Sequence, residues 1–313
     1  MWSLSRVLLQ RIAAVVALAG AVACGHGRPD GMRADEAGWL RAHGVDVRRL
    51  RCRGHQSWQP HLHAAAKATA SEALEELTRG PLSPTAGGPA LDDARRTEAV
   101  RLLTERIFWR LVRTGIVEGG EDNLGAVPLE GVQTADGQPV LLVRGAFTAR
   151  PDAEDSCLGS LIGAAGVRHV VNLYAGPMVT ADLEAAERRA IEQAGGTYTT
   201  AREQPGPVQH WRDELREGDA KAAHEAMAQL VRMILRPDGK PPTGHVMVHC
   251  GGGMHRTGMV VGVIERCLNR APRAEWEARY RHHVAWRSTS QPGGFEQANV
   301  DFIAGFPCEL LAR

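Results

Sequence analysis

One cysteine stands where the chain could make it a nucleophile, in His249-Cys250-Gly251-Gly252-Gly253-Met254-His255-Arg256-Thr257. A thiol attacks only as its thiolate, and positive potential lowers its pKa from about 8.5 into a range of roughly 3.5–7.5. Three glycines after Cys250 allow a tight turn whose consecutive backbone N–H groups point inward. A helix starting at the end of that turn adds its first N–H groups and the positive end of its dipole. Arg256 supplies a planar fork able to hold two phosphate oxygens. Thr257 can donate its hydroxyl to the sulfur when the sulfur must leave. These residues predict attack of Cys250 on phosphorus, with Gly251, Gly252, Gly253, Met254, His255 and Arg256 holding the phosphoryl group. A glycine-rich turn beside an inert buried cysteine is the competing reading.

The surrounding elements must place that loop. His245-Val246-Met247-Val248-His249 reads as a strand, and Arg256 to Leu268 as the helix that follows. Upstream, Val140 to Val143 and Val167 to Leu173 read as strands around a short helix over Leu158 to Ala165. Leu183 to Ala194 is a helix closed by Gly195-Gly196, and Thr197 to Thr200 a short strand. Asp219 takes the N-cap position of a long helix through Ala223, Met227, Leu230, Met233 and Ile234. The alternation predicts an α/β domain over 130–313, with a central, mainly parallel sheet flanked by helices. Residues 24–120 read as a helical N-terminal extension of unknown role. It has little periodicity from Pro29 to about Pro60, an Ala-rich helix over His63 to Leu77, and a Pro/Gly loop from Pro81 to Pro89. A second helix from Asp92 to about Arg113 carries Val100, Leu103, Ile107, Leu111 and Trp109 on its apolar side.

The loop resembles the HCxxGxxR[ST] signature of the protein tyrosine and dual-specificity phosphatases at every fixed position. Val140 to Leu173 is similar to that family's opening strand, helix and second strand, and Gly294-Phe295-Glu296-Gln297 resembles its late GF-x-x-Q segment. The likeness covers roughly residues 138–306. It implies a dual-specificity-phosphatase-like fold and a metal-free, cofactor-free hydrolysis through a phosphocysteine, with His249 orienting the loop. It also implies a general acid on a loop before the nucleophile. Trp211-Arg212-Asp213 resembles the family's Trp-Pro-Asp segment with Arg212 in place of Pro, so Asp213 is the expected acid. Asp219 is the main rival, with Glu214 and Glu203 behind it, and Gln291 is a candidate for positioning water. The expected substrates are phosphotyrosine-type phosphoproteins or small phosphomonoesters. The alternatives are a phosphoinositide or inositol-phosphate phosphatase and a non-catalytic phospho-ligand module; a sulfur transferase fits the Arg256 spacing less well. His245, His249, Cys250 and His255 alternate along a strand and its loop, which argues against a metal site, and His55, His61 and His63 read as surface histidines.

The 313 residues carry 37 basic and 36 acidic side chains, a formal net charge of +1. That balance excludes a general nucleic-acid binder, which needs a basic excess on one face. Hydrophobic residues at 43 % allow a sizeable core. The only lysines are Lys67, Lys221 and Lys240, so arginine carries nearly all positive charge. Residues 1–23 read as a signal peptide, with Arg6 and Arg11 before an uncharged apolar run and Ala21-Val22-Ala23 as a cleavage pattern. The expected location is therefore exported, periplasmic or secreted, with membrane attachment through a lipid on Cys24 as one form of it. Of the six cysteines, five remain without Cys24, which fits one working thiol beside residues free to pair.

Overall fold

The computed structural model describes residues 32–52, 59–79, 92–117, 122–148, 151–174, 181–200, 218–284 and 295–312. They divide into two compact units. Helices α2 (Gln59–Arg79) and α3 (Asp93–Val117) form one; all the other described elements, beginning with α1 (Ala34–Ala42), form the second. The α2/α3 pair buries Ala66, Ala70, Leu74, Thr104 and Ile107. Alanines at two of these positions let helix backbones approach closely, and Ile107 lies on the apolar side the periodicity predicts.

The second unit is an α/β fold on a five-stranded sheet in the order β1-β2-β5-β3-β4. Its strands are β1 (Gly125–Gln133), β2 (Pro139–Ala146), β3 (Val167–Asn172), β4 (Thr197–Thr200) and β5 (His245–Cys250). β1 pairs antiparallel with β2, and all other pairs are parallel. The sheet is thus mainly parallel, as expected, with one antiparallel edge that the sequence does not announce. Pro128 sits on that edge, where a strand can lack one N–H, and the register slips between Pro128 and Gln133. β5 is central and buried from Val246 to Cys250, which is why it reads as an unbroken apolar run.

The helices are α4 (Cys157–Ala165), α5 (Ala181–Gln193), α6 (Ala220–Leu235), α7 (His255–Cys267), α8 (Arg273–His283) and α9 (Phe295–Gly305). α6 turns Ala223, Met227, Leu230 and Ile234 into the core as its spacing predicts, with Val231 buried as well, while the expected Met233 is only half-buried. α4 is capped by Ser156, whose hydroxyl accepts from the Gly159 N–H, and ends at Gly166 with φ 67°.

The division of the chain falls elsewhere than the 24–120 extension expected from sequence. Residues 32–52, with α1 and a single turn at Val47–Arg49, belong to the α/β unit. Leu40, Val45, Val47 and Leu50 share a core with Leu124, Leu141, Leu158 and Met247. A disulfide joins Cys52 to Cys157 at the start of α4, and a second joins Cys267 to Cys308. Residues 1–31, with the expected signal segment and Cys24, lie outside the described residues, as do Arg53 to Trp58 and Glu118 to Glu121. Among the described residues no helix is long and apolar enough to cross a membrane.

Candidate active site

β5 delivers Cys250 to the carboxyl end of the sheet, and α7 opens five residues later at His255. The turn between them needs glycine at Gly253. Its φ is 63°, and a Cβ there would lie 2.5 Å from the Gly145 carbonyl and 2.8 Å from the Ala146 nitrogen. No side chain fits that approach. The loop carbonyls are all engaged. Gly251 O accepts from the Phe147 N–H at 3.2 Å and Met254 O from the Gly258 N–H at 2.8 Å. Gly252 O accepts from Asn123 Nδ2 at 3.0 Å, and Gly253 O from Arg144 Nη2 at 2.6 Å.

Cys250 is buried, and it is the one free cysteine among the described residues. Burial pushes its thiol pKa up, yet the hydroxyl and N–H of Thr257 and the charges of Arg256 and His249 outweigh that and hold it below the ordinary thiol value. The Thr257 hydroxyl, itself fully buried, has no other hydrogen-bond partner among the described residues, which leaves it available to the sulfur. Arg256 lies in the first turn of α7 with its guanidinium carbon 5.4 Å from the centre of the Tyr174 ring. Its Nε is buried with no acceptor among the described residues. A buried donor left open at the mouth of a helix N-terminus is what an arriving oxyanion satisfies.

His249 is wholly buried, and its Nε2 donates to Glu187 of α5 at 3.1 Å. Burial alone would lower its pKa, but the Glu187 carboxylate, by charge and by hydrogen bond, raises it. Glu187 thereby favours the charged form of His249 next to the Cys250 sulfur. Glu187 also accepts from the Tyr198 hydroxyl at 2.7 Å, and that hydroxyl accepts from Asn172 Nδ2 at 3.0 Å. Tyr198 is pushed far above its usual range by burial and by the Glu187 charge, so it stays a donor.

The structure thus brings together Cys250, His249, Gly251, Gly252, Gly253, Met254, His255, Arg256 and Thr257. Asp213 lies outside the described residues, with Glu203, Glu214 and Gln291. Asp219 is described, and it caps α6: its carboxylate accepts from the Ala222 N–H at 2.9 Å. His245 Nδ1 accepts from the Leu141 N–H at 3.2 Å, and burial together with nearby His43 pushes its pKa down to about 4. It serves the sheet rather than the loop. Among the described residues no group of three His, Cys, Asp or Glu could hold a metal ion. A cavity of about 600 Å³ lined by Val171, Thr199, Arg232 and Arg236 includes no residue of the loop.

Sequence reasoning missed Glu187, Asn123, Arg144 and His283. Only Arg144 leaves a signal, as a lone charge inside the apolar run Val140-Leu141-Leu142-Val143-Arg144. No protein-family model matches this chain, and no curated protein or solved structure matches it either.

Proposed function

We propose that this protein is a phosphomonoester hydrolase working through a phosphocysteine, of the protein tyrosine and dual-specificity phosphatase type. The observation that carries the reading is Cys250 itself. Among the described residues it is the one cysteine outside the two disulfides, and it is held below its usual pKa by Thr257, Arg256 and His249. The Cys250 sulfur attacks phosphorus as the ester P–O bond breaks, and the leaving oxygen takes a proton from an acid. The base form of that acid then takes a proton from water as the water oxygen attacks phosphorus, the S–P bond breaks, and the sulfur leaves as thiolate toward Thr257. Arg256 and the loop N–H groups hold the phosphoryl oxygens in both steps. Asp213 is the proposed acid, on its resemblance alone. Hydrolysis of an aryl phosphate by the full chain tests the proposal. Cys250→Ser should abolish turnover while phosphate still binds; a variant that keeps more than about a hundredth of the rate ends the mechanism. Asp213→Asn should slow esters with poor leaving groups about 10²–10⁴-fold and activated aryl phosphates far less.

Phosphotyrosine-type substrates remain the preferred class, with inositol phosphates and non-catalytic phospho-ligand binding as the alternatives. Export is proposed alongside. Two disulfides in the α/β unit support it, because such bonds persist in oxidising compartments. Mass analysis of the mature N-terminus tests it, and a chain still carrying Met1 in the cytosol sinks it.

A further inference from the structure

Behind the loop runs a buried polar chain that the mechanism does not use. Asn123 precedes β1 with φ 46°, a conformation asparagine tolerates better than most residues. Its Nδ2 donates to Gly252 O at 3.0 Å and to His283 O at 3.2 Å. Both partners only accept, so the amide can face only one way. Its Oδ1 therefore lies toward His283 Nδ1, at 2.7 Å, and that nitrogen must carry hydrogen. His283 Nε2 faces Glu36 Oε1 of α1 at 2.9 Å, and a proton lies between them. Glu36, Asn123 and His283 are all fully buried. Alongside, Arg144 is 1 % exposed and reaches Gly253 O.

A trans peptide points its C=O and the following N–H in opposite directions. Drawing the carbonyls of Gly251, Gly252 and Gly253 toward Phe147, Asn123 and Arg144 turns the N–H groups of Gly252, Gly253 and Met254 the other way. Glycine has little intrinsic preference for either orientation, so the choice must come from outside the loop. We infer that Asn123 and Arg144 are positioning residues that hold the Gly252 and Gly253 carbonyls on the outer side of the loop, and that Glu36, through His283, locks Asn123 in its donor orientation. A released carbonyl could swing inward and set an acceptor against the thiolate and the phosphate. The inference rests on the loop being a phosphate cradle. It makes α1, which reads from sequence as part of the extension, a support of the site.

The test avoids turnover. In the full chain, Cys250 alkylation by iodoacetamide is followed against pH by peptide mass, and protection by inorganic phosphate is measured alongside. Asn123→Gly suits the backbone, removes the donor and adds no charge. It should raise the alkylation midpoint by about one pH unit and the half-protecting phosphate concentration about tenfold. Arg144→Lys keeps the charge and should move both less. Asn269→Gly, which cuts side-chain bonds to Pro128 O and the Glu130 N–H, should move neither. Unchanged midpoint and protection in a folded Asn123→Gly, or an equal shift in Asn269→Gly, overturns the inference. Should Asn123→Gly not fold, unchanged values in Arg144→Lys overturn it. A wild type that phosphate protects but that cleaves no phosphomonoester would end the catalytic reading and leave this one intact.

Discussion

Two buried histidine–glutamate pairs flank the loop, and they are used in opposite ways. His249–Glu187 and His283–Glu36 are each fully buried, at 3.1 Å and 2.9 Å. His249 precedes the nucleophile in the chain, so the charge that Glu187 favours on it acts directly on the sulfur. His283 spends its other nitrogen on Asn123, so its pair orients an amide rather than supplying charge. Their neighbours explain the difference. Glu187 is met by the neutral donor Tyr198. Glu36 shares its region with Arg144 and with Glu265, which Arg279 holds by an ion pair. On the proposed reading, one pair tunes the Cys250 thiol, and the other braces the loop that surrounds it.

The largest expected effect that separates the pairs is on stability against pH. Burial pushes Glu36 up to about 7 despite the opposing Arg144 charge, from an ordinary value of 4.5. For a raised carboxyl, the folded protein binds more protons than the unfolded chain between those two values. Its contribution is full below pH 4.5 and is lost as pH rises through about 7, roughly 3 kcal/mol in all. His249 is also raised, from 6.5, so its contribution is full below 6.5 and is lost only as pH climbs above that. Denaturant titrations should therefore show Glu36→Gln flattening the slope between pH 4.5 and 7, and His249→Gln flattening it above 6.5. Glu265 also rises to about 7 through burial and adds a slope of the same sign, while His245, pushed down to about 4, adds one of opposite sign below 6.5, so the readout is the difference between wild type and Glu36→Gln rather than either slope alone. Identical windows for the two variants would erase the distinction.

A smaller effect falls on the thiol. Glu187→Gln removes the carboxylate that favours charge on His249, and the Cys250 pKa should rise by about one unit, some tenfold less thiolate below the midpoint. Glu36→Gln leaves an amide that can still hold His283, and should move the thiol less. Alkylation rate against pH reads both. A larger shift from Glu36→Gln would mean that the bracing pair, rather than the tuning pair, sets the nucleophile.

Local signals made one half of this arrangement legible. The strand, three glycines, Cys250, Arg256 and Thr257 are contiguous, so residue type and spacing carry the site, and Asp219 reads correctly as a cap. The bracing half is assembled from residues 36, 123, 144 and 283, too far apart for any window to join. Glu187 looks like one more carboxylate on a helix rich in them; only burial against His249 and Tyr198 distinguishes it. α1 is hidden for a related reason. Its sequence Ala-Asp-Glu-Ala-Gly-Trp-Leu-Arg-Ala has a weak apolar stripe, and its place is fixed by Ala37, Leu40, a buried Glu36 and the Cys52–Cys157 bond downstream. β1 carries Pro128 and a left-handed Gly131, which break the alternation expected of a strand. The proposed role of Asp213 as acid stands on resemblance alone.

The smallest effect concerns substrate charge. Both pairs, and Arg144 with them, keep their charge inside the fold: His249 and His283 are fully buried and Arg144 is 1 % exposed. None of them is available to a second phosphate on a substrate. Of the loop itself, Arg256 is half-buried and always charged, while His255 carries charge only when protonated. A single phosphate is matched by Arg256 and the loop N–H groups, whereas further phosphates on an inositol ring would lose water without gaining a cation from the loop. Phosphotyrosine peptides should accordingly show a kcat/KM a few-fold above soluble inositol polyphosphates, on the order of 1 kcal/mol. The margin should change little in Glu36→Gln, since that pair offers nothing to the substrate. Steady-state rates for both substrates at one ionic strength decide it. A tenfold preference for the inositol phosphates would mean that arginines beyond the loop recruit them.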